Sequence, residues 1–144
     1  MDNQIFNTLI NLVGFFNNPQ NDKKLLSSAN VKLEAPAFPI FSAIARKQPI
    51  SVSEIANIVG KNYSSVSRQI DKLENSNLVT SSPSLKDSRV RISTLTEEGN
   101  KLNKQISDTR TSIIKEALSD WSDEEKQVLL HSLDHLTNEL DKFK

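Results

Sequence analysis

The chain has no cysteine in its 144 residues. That removes disulfides, thiolate nucleophiles and thiol-based redox sensing together, and it fits a reducing compartment. Glycine is scarce, with three residues, and neither a phosphate-binding glycine loop nor a G-x-S-x-G motif is present. No catalytic set stands out, so an enzyme is not expected, and no cofactor is implied. No stretch approaches the roughly 18 apolar residues needed to span a bilayer, so no membrane partner is expected. The opening MDNQIFNTLINLVGFF lacks a positively charged leader, and polar residues interrupt its apolar run. A cytoplasmic chain is the expectation.

Net charge is also missing: 18 basic residues balance 18 acidic ones. Neutrality overall hides an uneven distribution. Between Lys61 and Ile92 stand Lys61, Arg68, Lys72, Lys86, Arg89 and Arg91 against Asp71, Glu74 and Asp87. The excess of three positive charges there is matched by an acidic excess elsewhere.

What the chain does have is an ordered set of helix signals around that basic segment. A helix is expected from about Pro36 to Lys47, with Phe38, Phe41, Ile44 and Ala45 turned inward and Gln48 and Pro49 breaking it. Ser51 and Glu54 have the spacing of a capping box. They open a short helix with Ile55, Ala56, Ile58 and Val59 on its apolar side. Gly60 suits the left-handed position past its end. Asn62 is the expected cap of a helix over residues 63–75, where Val66, Ile70 and Leu73 share one face. Leu78 and Val79 begin a strand whose partner is Val90–Leu95, with Pro83, Ser84, Asp87 and Ser88 at the hairpin tip.

Helix, turn, second helix and charged hairpin together describe a device for reading DNA. Ser64, Ser65 and Ser67 carry hydroxyls that can contact phosphates or base edges. Arg68 can fork onto a guanine or grip a phosphate. Asn62 and the free amides at the helix start suit a phosphate, and Lys61, Tyr63 and Lys72 are candidate backbone contacts. Arg89 and Arg91 share a face if both lie in a regular strand, which would concentrate charge against one stretch of DNA backbone; alternatively Arg89 sits in the tip. Taken alone, a serine-rich helix with one arginine is ordinary solvated surface. The combination and its order carry the reading.

The flanks are helical. In residues 3–16 the series Ile5, Leu9, Leu12 and Phe16 recurs at helical spacing, and Phe6, Ile10 and Val13 widen it. So wide a stripe suggests packing on a second chain as well as on its own. Residues 17–35 read as polar and irregular, with a short helix around Leu25 and Leu26. Thr96, Glu97 and Glu98 start a long helix reaching about Ser119, with Leu102, Ile106, Thr109 and Ile113 in a stripe. Ser122 and Glu125 form another capping-box pair. The final helix then runs Leu129, Leu133, Leu136, Leu140 and Phe143 at the 3.5-residue repeat of helices packed lengthwise.

With the hairpin, the resemblance becomes specific. The chain resembles the MarR family of bacterial winged-helix transcription regulators. Its wing has Asp87 and Arg89 two residues apart, then Leu95, Thr96 and Gly99. Its second helix has Ser64, Ser65, Val66, Ser67 and Arg68, followed by Leu73 and Glu74. The expected order of six helices, with one hairpin after the fourth, covers nearly the whole chain. The fold class is therefore mainly α: a winged helix-turn-helix over 36–96 with a small β-hairpin wing, and N- and C-terminal regions 1–35 and 97–144 forming a dimerisation region. The resemblance implies a homodimer on a pseudo-palindromic stretch of double-stranded DNA, with Ile5, Leu9, Leu12, Phe16, Leu129, Leu133, Leu136 and Leu140 at the interface. It implies that Arg89 reaches a minor groove and that Asp87 orients nearby basic side chains. It also implies a small aromatic or anionic effector, for which Phe16, Phe38, Phe41, Ile106 and Arg110 are candidate contacts. One departure stands out. The family often has extra arginines near the wing, whereas this chain has Thr80, Ser81, Ser82 and Ser88, so fewer phosphate contacts are expected.

Two further readings compete. A winged helix can contact a protein partner, as in an adaptor or antirepressor. His131 and His135 are four apart on a helix, a spacing that can hold a metal, but no third ligand stands nearby, so no metal is expected. Trp121 reads as an anchor in the core or the dimer interface.

Overall fold

A computed structural model describes all 144 residues. It contains seven helices and three strands. The helices are α1 (Asp2–Phe16), α2 (Pro19–Ser28), α3 (Phe38–Lys47), α4 (Val52–Val59), α5 (Tyr63–Asn75), α6 (Glu97–Ala117) and α7 (Asp123–Asp141). The strands β1 (Ile50–Ser51), β2 (Val79–Pro83) and β3 (Arg91–Leu95) form one antiparallel sheet in the order β1-β3-β2. No helix is long and apolar enough to cross a membrane.

The count exceeds the expected six helices, and the hairpin follows the fifth helix. The additional element is α2, a ten-residue helix where the sequence suggested only a short one around Leu25 and Leu26. Asn18 caps it by accepting from the Gln20 amide, and Pro19 occupies its first turn, where a missing N–H costs nothing. α3 starts two residues later than expected, at Phe38. β1 was not anticipated; its two residues pair with Ser93 and Ile92 of β3.

Local chemistry sets most boundaries. Ser51 and Glu54 form a reciprocal capping box, as do Ser122 and Glu125. Gly60 ends α4 at φ 68°, a left-handed backbone that glycine adopts without a Cβ penalty. Thr96 opens α6: its Oγ1 accepts from the Gly99 amide at 3.0 Å and donates to the Asn77 carbonyl at 2.6 Å. Gly99 has a packing reason as well, because a Cβ there would run into the Leu78 carbonyl oxygen.

By contacts the chain divides into two units, Met1–Thr109 and Arg110–Lys144, with the division inside α6. The core of the first unit gathers Phe38, Ile40, Phe41 and Ile44 of α3, Val52 and Ile55 of α4, and Val66, Ile70 and Leu73 of α5. It also takes in Leu26 of α2 and Ile106 of α6, from outside the 36–96 stretch. Ala45, expected to face inward, is only half-buried. Ile58 was expected on the apolar side of α4 but is 52% exposed; Val52 takes its place in the core. α1 and α7 hold no buried residue.

Candidate nucleic-acid interface

α5 presents the face that the sequence assigned to it. Val66, Ile70 and Leu73 are buried, which turns Tyr63, Ser64, Arg68 and Lys72 to solvent. Ser65 and Ser67 are half-buried. Asn62 caps the helix, its Oδ1 accepting from the Ser65 amide at 2.8 Å. The cap uses the oxygen, so the Nδ2 donors are what Asn62 can offer a phosphate.

The wing is a five-residue ladder running from Val79↔Leu95 to Pro83↔Arg91. Pro83, expected in the tip, is thus the last paired residue of β2. Beyond it the tip closes by hydrogen bonds from the Ser84 amide to the Val90 carbonyl (2.8 Å) and from the Val90 amide to the Asp87 carbonyl (3.0 Å). Lower in the hairpin, Ser81 Oγ and the buried Ser93 Oγ pair at 2.9 Å across the strands.

Arg89 and Arg91 have different partners. Arg89 lies in the tip, with its side chain 89% exposed. Asp87 holds it: Oδ1 accepts from the Arg89 amide (3.0 Å) and Nε (3.1 Å), and Oδ2 accepts from Nη2 (3.2 Å). The Arg89 side chain, and then its amide, keep the Asp87 carboxyl below the usual aspartate range. Arg91, the first residue of β3, turns back onto α5. Its Nη2 stands 2.8 Å from Asp71 Oδ1 and 3.3 Å from Glu74 Oε2, and its Nη1 donates to Ser67 Oγ at 3.2 Å.

These pairs explain the electrostatics of the face. Asp71, Glu74 and Asp87, the three carboxylates of the basic segment, are all engaged by Arg89 or Arg91. Lys61, Arg68, Lys72 and Lys86 are exposed and pair with none of these three carboxylates. An approaching anion therefore meets these four and the outward Arg89. The acidic partners on α5 escaped the sequence reading. The signal for them is Ser67, Asp71 and Glu74 at 4- and 3-residue spacing, which puts them on one helical face.

This arrangement matches a known group of proteins. Residues 33–90 match the model of the MarR family. That stretch is similar to the MarR family's winged helix. The MarR match spans α3, α4, α5 and the wing as far as Val90, including both Asp87 and Arg89. The chain is similar to the MarR/EmrR family transcriptional regulator from Acinetobacter sp. ADP1, at 25% identity and TM-score 0.61, covering 97% of each chain. It resembles a MarR family protein from Bacillus stearothermophilus at 22% identity and TM-score 0.77, covering 98% of this chain and 99% of that one. It also resembles Staphylococcus aureus MarR, solved in complex with salicylate and kanamycin, at 20% identity and TM-score 0.72, covering 98% and 93%. No curated protein is a significant match to the sequence. The chain thus shares the fold of these proteins over nearly its whole length.

The residues proposed for an effector differ in their surroundings. Phe38, Phe41 and Ile106 belong to the buried core of the first unit. Phe16 is 56% exposed on α1, and Arg110 is half-buried at the start of the second unit.

Proposed function

We propose that the protein is a homodimeric, sequence-specific DNA-binding transcriptional repressor whose affinity is modulated by a small molecule. The observation that carries the reading is the wing tip: an arginine 89% exposed, oriented by Asp87, on the hairpin that is tied to α5. α5 enters a major groove with Tyr63, Ser64, Ser65, Ser67, Arg68 and Lys72, while Asn62 meets a phosphate at its start. Arg89 enters the neighbouring minor groove. Residues 36–96 are the DNA-binding part, and regions 1–35 and 97–144 join the two copies. The apolar faces of α1 and α7, which no residue of their own chain fully buries, support that pairing.

Two reading heads on a dimer fit half-sites about 10 base pairs apart, one turn of duplex. An effector acts by changing the separation of the heads, because only one spacing fits successive grooves. Salicylate in the complex of the Staphylococcus aureus relative supports a small aromatic anion as the effector class. Of the candidate contacts, Phe16 is exposed, whereas Phe38, Phe41 and Ile106 require the core to part.

Selection of duplexes from a random pool tests the reading. The wild-type protein should enrich an inverted repeat and bind it with an affinity that falls steeply with salt. Arg89→Ala should lower that affinity about tenfold, or about 1.4 kcal/mol, in an anisotropy titration, and Lys142→Ala should leave it unchanged. Equal losses in the two variants would refute the role of the wing.

A further inference from the structure

α5 carries two carboxylates, Asp71 and Glu74, beside the face proposed to meet phosphates. Simple electrostatics would place them elsewhere. Both are taken up by one guanidinium of the wing. Arg91 uses Nη2 on both carboxylates and Nη1 on Ser67, a planar fork against three acceptors stacked along one helical face. The Arg91 side chain is 26% exposed. Burial works against its charge, but hydrogen bonds to Asp71 and Glu74 override that and raise its pKa.

The position of this contact matters. Arg91 stands where the ladder ends, opposite Pro83, and two residues from Arg89. It supplies the side-chain polar contacts between the hairpin strands and α5. The tip beyond it is held only by its own turn and by Asp87. Without Arg91, no polar side chain would fix the angle between hairpin and helix.

We propose that Arg91 is a positioning residue that clamps the wing to the recognition helix through Asp71, Glu74 and Ser67, and so sets the separation between Arg89 and the reading face of α5. This rests on the DNA-binding function proposed above. It replaces the role of direct backbone contact that the sequence suggested for Arg91. It also assigns a polarity to Ser67: with Oγ accepting from Arg91, its hydroxyl hydrogen is left to donate, so Ser67 faces an acceptor such as a phosphate oxygen or a purine N7.

The clamp makes a prediction opposite in sign to simple electrostatics. The isosteric double variant Asp71→Asn/Glu74→Gln removes two negative charges beside the DNA, which by charge alone should tighten binding. The clamp requires it to weaken binding to the duplex enriched by wild-type protein about tenfold, with an unchanged salt slope. Arg91→Lys should weaken it similarly, because an ammonium lacks the fork. Tighter binding by the double variant would overturn the proposal. So would an Arg91→Ala salt slope reduced by about 0.9, the mark of a lost phosphate contact.

A second readout needs no DNA. In the full chain, amide order parameters at Lys86–Val90 should fall in the double variant from about 0.85 towards 0.6, with those of α5 unchanged. An unaltered wing tip would refute the clamp. If no duplex is enriched at all, the DNA-binding reading is what fails, and the relaxation result alone decides whether Arg91 holds the wing.

Discussion

The winged helix and the terminal helices use the same apolar periodicity with opposite results. In the first, Ile40, Phe41, Ile44, Ile55, Val66 and Ile70 are all 0% exposed. In α1, Phe6, Ile10, Val13 and Phe16 repeat at similar spacing, yet each remains more than half exposed. In α7, Leu133 is 39% and Leu140 53% exposed. The difference teaches that spacing identifies which residues share a face but not what covers it. Within the winged helix the cover is α3, α4, α5 and the sheet. For α1 and α7 the proposed cover is a second copy, which would recover on the order of 1 kcal/mol for each half-exposed side chain it buries.

The largest expected effect comes from attacking each kind of face in turn. Leu136→Asp should abolish dimerisation and tight duplex binding, because a lone carboxylate at an interface costs several kcal/mol. Its thermal midpoint should then lose the concentration dependence expected of a dimer. Ile70→Ala should instead destabilise the winged helix by about 2–5 kcal/mol at every concentration. If calorimetry showed the same concentration dependence for Leu136→Asp as for wild type, the two regions would not differ as proposed.

Next in size is Gly99→Ala. The added methyl group meets the Leu78 carbonyl, so α6 must shift from the start of the wing. Chemical denaturation should register about 1–3 kcal/mol. A neutral result would show that this junction gives way easily.

The two capping boxes offer a matched pair. Ser51→Ala and Ser122→Ala remove the same chemistry from the two units, and each should cost about 1 kcal/mol. Hydrogen exchange should place the first loss in α4 and its packed neighbours and the second in α7. Spread of the Ser122 effect through the winged helix would mean that the units melt as one.

The smallest effect concerns acid. Asp87 has a folded pKa below its ordinary value of 3.8. Its contribution to tip order is therefore complete above 3.8 and is lost as pH falls through the lower folded value. The Arg89 amide shift should be flat from pH 8 to pH 5 and move only below about pH 4. A transition near pH 6 would contradict the Asp87 pairing.

Much of this molecule was legible in the sequence where a local rule decides the outcome. Ser51 with Glu54, Gly60, Asn62 and Thr96 each fix a helix end through their own atoms, and the structure places them there. The stripe Val66, Ile70 and Leu73 is buried as its spacing required. Less was legible where tertiary contacts decide. The two residues of β1 are too few for a period, and they are a strand only because β3 lies beside them. Ile58 fits the apolar pattern of α4 but points away from what α4 packs against. The length of α2 was in principle visible in Asn18-Pro19, a cap followed by a first-turn proline. In the site, Arg89 and Asp87 could be paired from a two-residue spacing. Arg91 could not be paired with Asp71, which is 20 residues away and close only through the fold.

The most direct test is sedimentation of the protein with the duplex it enriches, at low salt. Two chains should travel with one duplex, and the stoichiometry should hold as protein is added. A single chain per duplex, or free protein sedimenting as a monomer that ignores every duplex, would contradict the account.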